Sequence, residues 1–223
     1  MLDQLSSGIL APPHPFAGLR RHGYRCILAD PALAFTSYTS IQSANPQSNR
    51  DIRRHYKVMS TEKVIELPVR DLVAKDGCHL LLWTSPPNIE RSVMILRGWG
   101  FKFSSKAFCW IKLRRGFDAL QMRCLPLLED DLHFSLGLTT RKGSEDVLLG
   151  RRGNCRRIAK NIREVVLSPV REHSRKPDEI YTRIERYCAG PYVELFARTR
   201  RPGWDYWGDQ TDMFPPDDGQ GEG

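Results

Sequence analysis

No run of about eighteen apolar residues occurs in the 223-residue chain, so no segment is expected to cross a membrane as a helix. The opening stretch from Met1 to Pro15 lacks a basic n-region and a long apolar core, which argues against a secretory signal. Cys-x-x-Cys pairs are absent as well. The six cysteines, at 26, 78, 109, 124, 155 and 188, are scattered, with no nearby histidine at metal-ligand spacing. His133 and His173 show no such spacing either and read as ordinary polar residues. No structural zinc or other metal is expected, and the chain reads as a reduced, cytoplasmic protein. There is no internal repeat.

Positive charge is plentiful. Thirty-four Lys and Arg against 26 Asp and Glu leave a formal charge of +8, which favours polyanionic partners. The excess is gathered in three places: Lys112, Arg114 and Arg115; Arg151, Arg152, Arg156, Arg157 and Lys160; and Arg198, Arg200 and Arg201. Basic clusters are often solvated faces, but three of them around strand ends look like a nucleic-acid footprint.

The length fits one sizeable α/β domain. Residues 1–20 are Pro-, Gly- and Ser-rich and read as irregular, 21–212 as the domain and 213–223 as a disordered tail. Cys26 to Ala29 reads as a strand buried on both faces, ending in Asp30-Pro31. A long polar loop, Thr36 to Arg54, follows; loops of that length in a compact domain are usually functional or mobile. Ser60 is a natural N-cap for a short helix through Leu67, which Pro68 stops. Further strands are expected at Cys78 to Trp83, Lys106 to Ile111, Val147 to Leu149, Val165 to Leu167 and Tyr192 to Phe196. Helical spacing runs from Ile89 to Gly98, and Pro177 suits the first position of a helix with Ile180, Ile184 and Cys188 on its inner stripe. Residues 114–143 read as an insertion over the site. Strands alternating with helices predict a mostly parallel, doubly wound sheet.

In such sheets ligands sit beyond the carboxyl ends of the strands, which places Asp30 at the lip of a site; an Asp-Pro turn closing a core strand is the plainer alternative. Asp30-Pro31, Ser174 to Tyr181 (Ser-Arg-Lys-Pro-Asp-Glu-Ile-Tyr) and Glu194-Leu-Phe-Ala-Arg198 occur in that order, with Tyr56-x-x-Met59-Ser60, Leu82-Trp83, Trp110-Ile-Lys112 and Trp204 to Gln210 between and after them. Over roughly Gly23 to Gln210 this arrangement resembles the MT-A70 family of S-adenosylmethionine-dependent N(6)-adenine methyltransferases, in its phage and bacterial branch. The resemblance implies a Rossmann-like methyltransferase fold with permuted motif order, S-adenosylmethionine as cofactor, and adenine in nucleic acid as substrate, DNA ahead of RNA. It also implies that Asp30 and Pro31 are catalytic, and that Asp30, Lys176, Glu194, Arg198, Asp209 and Gln210 hold the cofactor. The residue types suit these roles. Lys176 precedes a helix N-terminus, where cation and dipole both attract a carboxylate, and Glu194 ends a strand where an acid accepts from ribose hydroxyls or an amine. Tyr56, Lys112, Arg151, Arg152, Arg156 and Arg157 are the candidate contacts to nucleic acid; the arginines would hold phosphates, giving affinity without sequence choice. A homo- or heterodimer fits the same family.

The family's catalytic tetrad is Asp-Pro-Pro-Trp. This chain has Asp30-Pro31-Ala32-Leu33, and the terminal Gly-Asn-Gln reads Gly208-Asp209-Gln210. The acid and a backbone carbonyl of the tetrad accept the hydrogens of the target amine, while the ring stacks on the extruded base. Losing the stack costs about 1–3 kcal/mol and losing the second proline about 0.4–1 kcal/mol. A weakened enzyme, or an inactive subunit partnering an active one, is the expectation these numbers leave open. Phe35 or Tyr38 is a candidate replacement ring. Trp83 reads most simply as a core aromatic.

Overall fold

The computed structural model describes residues 13–33, 58–117, 126–135 and 140–214. Its seven strands are β1 (Cys26–Ala29), β2 (Gly77–Thr84), β3 (Lys102–Leu113), β4 (Ser144–Gly153), β5 (Val165–Pro169), β6 (Tyr192–Leu195) and β7 (Trp204–Trp207). They form one sheet in the order β5-β3-β4-β2-β1-β6-β7. All neighbours pair in parallel except at β4, which runs antiparallel to both β2 and β3.

Both faces of the sheet are covered, which is why β1 is apolar at every position. Side chains alternate across a strand. Ile27 and Ala29 therefore join Leu80, Leu82, Ile95 and Trp99 in one core, while Cys26 and Leu28 join Leu81, Trp83, Ile180 and Ile184 in the other. Helices α1 (Thr61–Ile65) and α2 (Ile89–Gly98) cover the first face and α3 (Glu179–Tyr187) the second. The result is the doubly wound, mostly parallel α/β sheet that the alternation of elements indicates, of the Rossmann-like methyltransferase type.

Local chemistry sets several boundaries. The Ser60 hydroxyl accepts from the Lys63 amide at 3.3 Å and starts α1. Helix α3 starts at Glu179, two residues after Pro177, whose carbonyl accepts from the Ile180 amide. Three strands differ from the sequence reading. β3 begins four residues before Lys106, and β4 spans ten residues where the apolar run covered three. Register shifts at Phe103/Ser105 and Lys106/Phe108 break the two-residue alternation that marks a strand in sequence. β7, a four-residue edge strand, has too few residues to show a period.

After β3 the chain folds back on it: the Arg114 amide donates to the Asp131 carbonyl and the His133 amide to the Lys112 carbonyl, each at 2.8 Å. Within 114–143, the part described thus lies beside the end of β3. No helix among the described residues is long and apolar enough to cross a membrane. Among the same residues no group of His, Cys, Asp or Glu has the arrangement of a metal site.

Candidate active site

Six strands end at one edge of the sheet, and β4, running the other way, begins there. That edge carries a cavity of about 390 Å³, within the range of small-ligand sites. Asp30 follows β1 into it, Thr84 and Ser85 come from the end of β2, Lys112 from β3, and Glu145 from the start of β4. A smaller cavity adjoins it and is lined by Tyr181, Glu194, Phe196 and Phe214. Asp30, Ser174, Arg175, Lys176 and Arg198 line both and so form the partition between them.

The partition is a chain of alternating charges laid across the sheet. Lys112 Nζ lies 2.5 Å from Glu145 Oε1, and Glu145 Oε2 lies 2.6 Å from Lys176 Nζ. Lys176 Nζ is 3.4 Å from Asp30 Oδ2, which also accepts from Arg198 at 2.8 Å. Only 14% of the Lys176 side chain is exposed. Burial alone would strip its proton, but the carboxylates of Asp30 and Glu145 override that and hold its pKa above the ordinary value. Burial likewise opposes charge on Glu145, yet Lys176 and Lys112 bring its pKa down to about 2. Both cations on Asp30 engage Oδ2; Oδ1 carries neither contact.

Backbone geometry supports this row. Ser174 (φ 68) and Phe196 (φ 63) occupy the left-handed region that side-chain-bearing residues rarely adopt, at about 1–2 kcal/mol each. Ser174 in that conformation accepts from Arg198 through both its hydroxyl, at 2.6 Å, and its carbonyl, at 3.2 Å. Arg171 donates to the Lys176 carbonyl and pairs with Asp178, tying down the segment that carries the lysine.

Glu194 sits near the end of β6, buried, with the Tyr181 hydroxyl donating to its carboxylate at 3.0 Å. Burial raises its pKa from the ordinary 4.5 to about 7, with Asp30 adding to the rise and the Tyr181 hydrogen bond, Arg198 and Arg201 opposing it. An acid with a raised folded pKa binds its proton more tightly folded than unfolded. Its contribution to stability is therefore largest below about pH 4.5 and declines as pH rises to about 7, by roughly 3 kcal/mol. Glu145 has the opposite sign: its stabilisation is full above about pH 4.5 and is lost as pH falls through about 2. Urea unfolding at pH 5 and pH 8 should show a decline in the wild type that Glu194→Gln abolishes; equal slopes in the two proteins would refute this.

The sequence candidates fall in different places. Asp30, Pro31, Lys112, Lys176 and Arg198 line the large cavity, and Glu194 lines the small one. Asp209 is exposed and Gln210 half-buried, and neither lines either cavity. They follow Gly208, where a side chain would run into the Ala197 carbonyl at 2.6 Å, so glycine lets the end of β7 lie against the chain leaving β6. Arg151 and Arg152 pair with His79 and Cys78, at the opposite end of β2 from the site, with Arg156 and Arg157 beyond them. Six residues of β4 separate Asp146 from Arg152, about 20 Å of strand. The second basic cluster is thus at the far edge of the sheet, while Arg115, Arg171 and Arg175 line the site. Tyr56, Phe35 and Tyr38 lie outside the described residues, as do 1–12 of the irregular opening segment, the loop 36–54 and 215–223 of the tail.

Glu145 and Asn88 are site residues that sequence reasoning missed. Glu145 sits in a polar stretch with no motif around it. Asn88 is 6% exposed in the cavity wall; its amide nitrogen donates to Ser85 Oγ while its Oδ1 has no hydrogen-bond partner among the described residues. Trp83 is buried and packs edge-on to Trp110, as a core aromatic does, but it also lines the cavity with Lys176 Nζ 4.9 Å from its ring centroid. Leu33 is buried in the core and bridged to Met59, whose amide donates to the Ala32 carbonyl.

Comparison with known proteins agrees with this arrangement. The chain is 28% identical over 206 residues to the Type II methyltransferase M.MunI of a Mycoplasma species, covering 86% of this chain and 80% of that protein. It is 28% identical to the N6-methyladenosine RNA methyltransferase MTA1 of Pyricularia oryzae and 26% identical to the human N(6)-adenosine-methyltransferase catalytic subunit METTL3, over 76% and 80% of this chain. It spans only 46% and 30% of those two proteins. The MT-A70 family profile matches residues 24–210, from the strand before Asp30 through Gln210. With the match covering the whole sheet and every element that borders the cavity, the chain belongs to the MT-A70 family, whose members are S-adenosylmethionine-dependent N(6)-adenine methyltransferases.

Proposed function

We propose that this chain methylates the exocyclic amine of adenine in nucleic acid, DNA in preference to RNA, with S-adenosylmethionine as donor. The observation that carries the reading is the meeting of Asp30, Lys176 and Arg198 in one wall, with Glu194 lining the cavity behind it. Two cations and two acids suit a ligand that is an amino acid at one end and a ribose diol at the other. Lys176 and Arg198 would hold its carboxylate, and Glu194 its hydroxyls or amine, with Asp209 and Gln210 toward the ribose. Bound there, S-adenosylmethionine supplies an electrophilic methyl group on a sulfonium.

The chain's own residues have a simple task, because the adenine amine needs its hydrogens accepted and its nitrogen exposed rather than a strong base. Asp30 accepts one hydrogen, and Pro31 fixes the backbone beside it. Asn88 offers a second polar contact: a buried amide oxygen without a partner among the described residues costs about 1–3 kcal/mol, which a base edge would relieve. Arg115, Arg171 and Arg175 lie where phosphates near the target base would pass. Arg151, Arg152, Arg156 and Arg157 are assigned to phosphates on a flanking stretch. The preference for DNA rests on the likeness to the Type II methyltransferase, most of which this chain covers, over the RNA methyltransferases, of which it covers less than half.

A second reading, an inactive subunit that keeps the cofactor site, is favoured by Ala32 and Leu33. Calorimetry with S-adenosylmethionine, followed by methyl incorporation into unmethylated DNA and RNA, separates the two. The enzyme reading expects incorporation into DNA above RNA that weakens with added salt, since each phosphate contact lowers log K by about 0.9 per log unit of salt. Cofactor binding without transfer to either polymer selects the inactive subunit.

A further inference from the structure

The cavity that Glu194 lines is small. Its volume is about 30 Å³, room for a water molecule or two, whereas the neighbouring cavity holds about 390 Å³. A ribose hydroxyl or an amine reaching Glu194 enters this space, so part of its wall has to yield. Most of the wall is tied. Asp30, Lys176 and Arg198 belong to the buried row of charges, and Tyr181 donates to Glu194 at 3.0 Å. Arg201 pairs with Asp178 at 2.5 Å and lies 4.1 Å from the centre of the Tyr181 ring. Phe196 packs edge-on against Trp207, with 5.3 Å between the ring centres.

Phe214 is different. Its ring is 7% exposed and forms an apolar stopper in a wall that is otherwise mostly charged. A phenyl ring has no hydrogen bond to lose, and the Arg175 guanidinium stands 5.7 Å from its centre. A short strap beyond β7 delivers it. The Met213 amide donates to the Gln210 carbonyl at 3.0 Å, turning the chain back, and the Phe214 amide donates to the Arg198 carbonyl at 3.2 Å. Asp212 accepts from Arg200 through both carboxylate oxygens, at 2.7 and 2.8 Å, with both side chains more than half exposed. A turn and an exposed ion pair are ties that open at small cost. The strap lies past residue 210, where the family match ends.

We infer that Phe214 is a plug in the donor site: its ring fills the space beside Glu194 that S-adenosylmethionine enters, and binding swings the 211–214 strap out. The inference rests on the proposed role of Glu194 in holding the donor. Donor affinity is then what the ligand gains at Glu194 and Arg198 less what is lost by exposing the ring, as for any ligand that binds the minor of two states. Shortening the ring to a methyl group removes that loss in advance.

In titration calorimetry Phe214→Ala should bind S-adenosylmethionine about 10- to 100-fold tighter than the wild type. That range corresponds to about 1.4–2.7 kcal/mol, close to the cost of exposing a buried phenylalanine side chain. Hydrogen exchange gives a second readout in the unaltered protein. Saturating S-adenosylmethionine should speed exchange of the Met213 and Phe214 amides, because both of their hydrogen bonds open when the strap leaves. A ring that stays and covers the ligand slows it instead. Equal or weaker binding by Phe214→Ala, or exchange that slows or does not change, overturns the plug and leaves the donor site standing. If Phe214→Ala does not fold, the wild-type exchange decides alone. Binding by neither protein overturns the donor site itself, and the plug with it.

Discussion

Lys176→Met is expected to lower the melting temperature by roughly 10 °C and to weaken S-adenosylmethionine binding by about 10- to 150-fold. The lysine is the central cation of the buried row, flanked by Glu145 at 2.6 Å and Asp30 at 3.4 Å. Its loss breaks two buried ion pairs at once; Glu145 keeps Lys112 and Asp30 keeps Arg198, so the cost is at the lower end of that for a broken buried pair, about 3 kcal/mol, and in a chain of this size each kcal/mol moves the melting temperature by about 2–4 °C. The loss in binding is that of one hydrogen bond to a charged group, about 1.5–3 kcal/mol. Scanning calorimetry measures the first effect and titration calorimetry the second. Glu145→Gln should cost less stability in the Lys176→Met background than in the wild type, because one of the two cations on the carboxylate is already gone, and it should recover none of the binding. If Glu145→Gln costs as much in the Lys176→Met background as in the wild type, the lysine and glutamate are not coupled as their distance indicates.

Asp30→Asn is expected to cut methyl transfer by about 10²–10³-fold, the usual loss when a preorganised polar partner of the reacting group is removed. The amide presents a donor where the amine needs an acceptor, and it leaves Arg198 and Lys176 without the charge that positions them. Single-turnover methyl incorporation at saturating cofactor measures this; an unchanged rate would show that Asp30 takes no hydrogen from the substrate. The altered tetrad is a different matter. Returning an aromatic to position 33 would recover about 1–3 kcal/mol of stacking. Leu33, however, is buried against the core and bridged to Met59, and overpacking there costs a similar amount. Trp83 does not replace the ring, since Lys176 already lies over its face. On the proposed reading, methyl transfer would therefore rest on the polar part of the site.

Much of the architecture is legible in the residues. Unbroken apolar runs such as Cys26 to Ala29 and Cys78 to Trp83 mark strands covered on both faces, and Ser60 and the Pro177 segment mark helix starts, because these signals are local. Asp30 is legible for a related reason, since it stands at the carboxyl end of a strand, where this class of sheet places its ligands, whereas Lys176, Glu194 and Arg198 are singled out by the family resemblance, which their places beside a strand end or a helix start suit. The first four residues of β3 and all of β7 escape the pattern, one because bulges shift the alternation there and the other because its four mixed polar and aromatic residues carry no clear period.

Which residues meet was decided by the fold. The reversal of β4 brings its first residues to the edge where its neighbours end, so Glu145 enters the site between two lysines while Arg151 and Arg152, a few residues later, are carried to the far side. The same reversal separates two basic clusters that look equivalent in the chain, and it sets Cys155 beside Cys188 and His79. Strand direction depends on how the whole sheet pairs, and no stretch of sequence contains that by itself.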